Sequence, residues 1–152
     1  MKFIDSIPAT EMKVIRTSVE AAMEKYRLYK YLMFDERVTR VTASYEPFFH
    51  SKTNQKSDQT ASVAIQNVDT QAEREAYCKL IERAVDQLPE KEKFLITKRY
   101  LEDDYILDYQ VYSFSFDPPI SEFTYYKIKN RAMYKLALML GLVKEETDEH
   151  HR

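Results

Sequence analysis

Four segments in the last third of the chain succeed one another in an order that few folds accommodate. Leu88 to Leu101 is patterned as a helix, and a short aromatic segment, Tyr105 to Phe116, follows it. Asp117-Pro118-Pro119-Ile120-Ser121-Glu122 forms a stiff break, and a long basic amphipathic run extends from Phe123 to Leu140. Support helix, short helix, turn and capped helix is the plan of a helix-turn-helix unit. The rest of the chain carries no functional signal of comparable strength.

The last run is the most legible segment. Ser121 suits an N-cap, because its hydroxyl can accept from a free backbone N–H two or three residues on. Thr124 stands where a full capping box would place Glu or Gln. Tyr125, Ile128, Ala132, Leu136 and Leu140 share one face, widened by Met133, Ala137 and Met139, and that face is predicted to bury. Gly141 is a natural helix stop. Glu122, Phe123, Tyr126, Lys127, Asn130 and Arg131 fall on the other face or its flank, with Lys129 and Lys135 further round. These residue types suit a duplex. Lys127 and Arg131 can donate to guanine or phosphate, Asn130 can pair with adenine, Glu122 can accept from cytosine, and Tyr126 can stack or donate. The predicted DNA-binding set is Glu122, Phe123, Tyr126, Lys127, Asn130, Arg131 and Lys135, with Ser121 as cap.

Charge agrees locally rather than globally. The 152-residue chain has a formal net charge of -2. From Ser121 to Lys144, however, Glu122 alone opposes Lys127, Lys129, Arg131, Lys135 and Lys144, and the tail beyond is acidic. A local basic stripe is what phosphate attraction requires.

Upstream, Val14, Ile15, Val19, Ala22, Met23, Tyr26, Tyr29 and Leu32 or Met33 recur at helical spacing from Met12 onward. A second helix is expected from Phe34 or Asp35 to Tyr45. His50 to Thr60 is polar and reads as a loop or linker, and Ala61 to Leu88 as a long helix, after which Pro89 opens the next. Asp103 and Asp104 are expected to cap the short helix that follows, although its aromatics could equally alternate as a strand. The predicted fold is all-α, with a helical N-terminal region over 1-49, a polar linker over 50-60, a helix-turn-helix domain over 61-144 and a flexible acidic tail over 145-152. The aromatic end of the first helix, Tyr26, Tyr29, Tyr31 and Phe34, suits either packing on its own domain or association with another chain.

Other function classes find little footing. A single glycine argues against phosphate-cradling loops, and a single cysteine, Cys78, cannot form a disulfide within the chain. Cys78 lies in an apolar periodic helix and reads as a packing residue. His150 and His151 sit in the acidic tail. No metal site, cofactor or catalytic constellation is expected, so the chain is read as a non-enzyme. No signal peptide or membrane-spanning run is visible, which predicts a cytoplasmic protein.

Ile120 to Ala137, ISEFTYYKIKNRAMYKLA, resembles the signature of the ArpU-type family of phage and prophage transcriptional regulators, and Arg99-Tyr100-Leu101 is similar to the end of that family's preceding helix. The resemblance is specific over Ser121 to Ala137 and loose before the polar stretch. The same segment resembles, more distantly, region 4 of bacterial primary sigma factors, where the DNA-facing positions fall at Glu122, Phe123, Tyr126, Lys127 and Arg131. The resemblance implies control of late phage genes for lysis or packaging. Glu122 and Phe123 depart from the sigma pattern, placing an acid and an apolar ring where polar and basic contacts stand. Phe116-Asp117-Pro118-Pro119 makes the turn bulkier than a tight link. The expected partner is double-stranded DNA, with RNA polymerase and a second copy of the chain as candidates. The alternative is a helical adaptor that binds RNA polymerase or a sigma factor without DNA specificity of its own.

Overall fold

The computed structural model describes residues 2–43 and 54–143. All regular structure among them is helical: α1 (Lys2–Asp5), α2 (Ala9–Ala43), α3 (Asn54–Asp86), α4 (Glu90–Ile96), α5 (Asp108–Gln110) and α6 (Glu122–Met139). The fold is all-α, as the periodicity predicts. Helices α4 and α5 each run on into a π turn, Thr97–Leu101 and Val111–Ser115. In each turn a backbone N–H reaches the carbonyl five residues back, Glu102 to Thr97 and Phe116 to Val111, both at 3.1 Å.

Two expectations about the first half are corrected. Helix α2 is unbroken through Phe34 and Asp35, so the separate helix expected from there is its continuation. Helix α3 already starts at Asn54, inside the stretch expected to be a linker. The segment contains no glycine or proline, and Gln55, Lys56 and Gln59 are good helix formers. A polar composition marks exposure; it does not by itself end a helix. Residues 44–53, with Tyr45, and the tail over 145-152 lie outside the described residues.

The chain divides into two compact units. One comprises Met1–Arg27 with Leu80–Arg152, the other Leu28–Lys79. In the first unit, Met12, Ile15, Val19, Met23 and Tyr26 of α2 are buried, as are Ile81, Ala84 and Val85 of α3. Ile4, Leu88, Leu95, Ile96, Tyr100, Val111, Tyr125, Ala132, Met133, Leu136 and Ala137 complete that core. The Tyr26 hydroxyl donates to Glu82 at 2.9 Å. In the second unit, Tyr29 and Tyr77 meet edge to face with ring centroids 5.3 Å apart, and Cys78 is buried. No helix of the described residues is long and apolar enough to cross a membrane.

Candidate nucleic-acid interface

Helices α5 and α6, with the turn between them, have the order expected of a helix-turn-helix, and local chemistry fixes each boundary. Gln110 reaches back so that its side-chain oxygen accepts from the Leu107 backbone N–H at 2.9 Å, closing the start of α5. Asp103 and Asp104 do not cap α5. Asp103 instead accepts from the N–H of Tyr105, and Asp104 pairs with Arg27. The Ile120 N–H bonds to the Tyr112 carbonyl at 3.1 Å and ties the end of the turn to the first element. Ser121 caps α6 as expected, accepting from the Thr124 N–H at 3.2 Å. At the far end Gly141 adopts φ 69°, while Gly141 and Leu142 donate back to the carbonyls of Leu138 and Ala137. That pairing is a Schellman ending, which glycine permits at positive φ.

A partly buried ionic hub holds α6 in place. Asp108, at the start of α5, accepts from the Tyr125 hydroxyl at 2.6 Å, from Arg99 Nε at 3.0 Å and from Lys129 Nζ at 3.0 Å to both carboxylate oxygens. Burial opposes the charge on Asp108. The Tyr125 hydrogen bond and the Lys129 and Arg99 charges outweigh that cost and hold its carboxyl below the usual carboxylate range. Burial lowers the Lys129 ammonium, and Asp108 offsets this only in part. Tyr125 is pushed up, first by burial and then by its bond to Asp108. Lys129 therefore does not belong to a solvent-facing basic stripe: it is 4% exposed and faces the core. Ile128, expected in the buried row, is only half-buried.

The predicted contact residues fall into two groups. Glu122, Phe123 and Lys127 are exposed in the first turns of α6, with Tyr126 half-buried beside them. Phe123 is 74% exposed, and the Lys127 ammonium lies 5.5 Å from its ring centroid. The others are engaged within the chain. Arg131 pairs with Asp5 at 3.0 Å, and Asn130 accepts from Arg16 at 3.1 Å. Lys135 pairs at 3.0 Å with Glu92, whose side chain is only 10% exposed. Lys135 is drawn toward α4 by a buried charge that needs a partner. Asp5 and Asp108 escaped the sequence reading, and Arg99 entered it only through the resemblance of Arg99-Tyr100-Leu101. Asp108 left a trace as an acid in the first turn of the short helix.

No family model and no solved structure matches the chain. Across 137 residues it is 30% identical to an uncharacterized phage-related protein of Listeria innocua, covering 90% of each chain. At that identity and near-complete mutual coverage, the chain belongs to the family of this phage-related protein.

Proposed function

We propose that this chain is a non-enzymatic, sequence-specific regulator of transcription that binds double-stranded DNA. The first turns of α6 enter the major groove. The observation that carries this reading is the contrast along α6. Glu122, Phe123, Thr124 and Lys127 stand exposed on its opening turns, while Tyr125, Lys129 and Ser121 fix its position from behind and at its end. A recognition helix needs this combination, because base edges are read by the N-terminal residues of a helix held in one register. Membership in a phage-related family supports a phage origin, and the finer reading, an ArpU-type regulator of phage late genes, rests on the resemblance of Ile120 to Ala137.

Selection from a pool of random duplexes, sequenced after binding at two salt concentrations, tests the proposal. One enriched motif that persists at the higher salt is the expected result. Binding that vanishes with salt and enriches nothing overturns it, since nonspecific attraction is the counterion-release component alone.

A second reading has its own support. Lys129, Arg131 and Lys135 are all ion-paired within the chain, which thins the positive charge offered to phosphates. Tyr105, Leu107, Tyr109 and Phe114 are 88%, 61%, 56% and 72% exposed around α5. These features suit an adaptor for RNA polymerase or a sigma factor. Co-purification with polymerase without duplex binding would select this reading.

A further inference from the structure

The outward face of α6 is not bare. Phe123, Lys127, Asn130, Arg131 and Tyr134 are spaced to share one side of the helix, and the N-terminal segment meets that side from the middle of α6 onward, at Asn130, Arg131 and Tyr134, while Phe123 and Lys127 stay exposed. Asp5 holds Arg131 at 3.0 Å, and Phe3 meets the Tyr134 ring edge to face at 5.9 Å. Arg16, near the start of α2, donates to Asn130 at 3.1 Å. Ile4 of α1 is 8% exposed and anchors the segment. A duplex seated against this face would occupy the space that α1 fills.

We infer that α1 is a built-in cover for the recognition helix, which DNA must displace; the inference rests on the DNA-binding reading above. The competition is chemical as well as steric. The Asp5 carboxylate offers Arg131 an anionic oxygen where a DNA phosphate would offer another, and Lys127 also feels its charge. The bond from Arg131 is the largest influence holding the Asp5 carboxyl below its ordinary range.

The cover is built to be weak. A helix of four residues has no stability of its own and persists only through what it touches. Phe3 is 69% exposed, so its ring contact is one-sided, and the Asp5–Arg131 pair is open to solvent and salt. A pocket of about 370 Å³, open to solvent, separates Ile4, Ile7 and Met12 from Phe123 and Lys127, which line it together. The α1 contact therefore lacks the close packing of the core. When a binding-competent state is only partly populated, apparent affinity falls by that fraction, and loosening the cover restores it.

Duplex affinity of three full-length variants tests this, using a pool of short random-sequence duplexes and any motif enriched from it. Phe3→Ala loosens α1 without changing charge, Asp5→Asn frees Arg131, and Glu11→Gln on exposed α2 removes an acid outside the contact. Thermal melts check that each variant stays folded. Phe3→Ala and Asp5→Asn are expected to tighten binding by up to about fivefold, the span of an exposed contact of this kind, and Glu11→Gln by less than Asp5→Asn. Hydrogen exchange at residues 2–7 is expected to quicken when DNA is added to the parent chain. Equal affinity for parent, Phe3→Ala and Asp5→Asn would overturn the cover while leaving DNA binding intact. So would weaker binding by these variants together with slower exchange, since α1 would then belong to the interface. Failure of every variant and the parent to bind any duplex would overturn the DNA reading and the cover with it.

Discussion

Asp108 and Lys129 show how much of this unit depends on single residues. Substituting Asp108 by Ala leaves the Lys129 ammonium, 5% exposed in its side chain, without its carboxylate. The expected cost is about 3–5 kcal/mol. Lys129→Met should cost less, because Asp108 keeps Arg99 and Tyr125 and is itself 21% exposed. Urea denaturation of the two variants checks that order, and the reverse order would remove Lys129 as the group that needs the pair. Acid should reveal the same hub. The Asp108 carboxyl lies below its ordinary value when folded, so its contribution is complete above about pH 4 and is lost as pH falls through the lowered folded value. A variant carrying Asp108→Leu and Lys129→Met should lose less stability than the parent over that acid range, measured as the urea midpoint against pH. Asp5 shifts in the same direction and contributes in both proteins. Lys135→Ala should act through folding rather than through DNA, because it strands the buried Glu92 carboxylate. A clear fall in melting temperature is expected. An unchanged melt with weakened duplex binding would return Lys135 to the interface. Ser121 and Gly141 could be read from sequence because a cap acts within a few residues of itself. Lys129 could not, since its partner lies 21 residues away and a lysine on a basic run reads as exposed.

At the scale of elements, α6 is secured at both ends by short-range chemistry. Ser121→Ala removes the acceptor for the Thr124 N–H and should cost about 1 kcal/mol, read as a lower thermal midpoint with the helix otherwise intact. Gly141→Ala has room for its Cβ, but the backbone sits at φ +69°. A loss of about 1 kcal/mol is expected there from conformation alone. If Gly141→Ala were neutral by the same melt, the chain end would have moved out of its left-handed turn. The longer helices were harder to delimit. Periodicity located much of the buried row of α2, at Ile15, Val19, Met23 and Tyr26, although Val14 and Leu32 of the expected row are exposed, and the start of α3 at Asn54 lies in polar sequence where no repeating apolar residue marks it. The expected break near Phe34 failed for a related reason. A β-branched run such as Val38-Thr39-Arg40-Val41-Thr42 lowers helix propensity by only tenths of a kcal/mol per residue, roughly, and α2 runs through it to Ala43.

For the whole molecule, the main consequence is that the candidate DNA-binding unit includes the first half of α2. Met12, Ile15, Val19, Met23 and Tyr26 are buried in the same compact unit as α4 to α6. Each large buried side chain contributes about 1.5–3 kcal/mol, so their combined loss rivals the roughly 5–15 kcal/mol that holds a typical domain together. A fragment of residues 61-144 should therefore unfold without a cooperative transition, whereas the full chain should unfold cooperatively in urea. A cooperative, stable fragment would show that the N-terminal half of α2 is dispensable. The amino-acid sequence by itself determined the all-α class, much of the apolar rows, the capped final helix and its exposed opening turns, because these depend on local periodicity and short-range caps, while Val14 and Met139 of the expected rows stand exposed. Only tertiary structure decided which charges remain available. Lys129, Arg131 and Lys135 share a basic run in sequence, yet carboxylates from α5, α1 and α4 draw each of them into a separate contact. Charge on a side chain is written in the sequence, but its pairing depends on which distant segments the fold brings within a few ångströms.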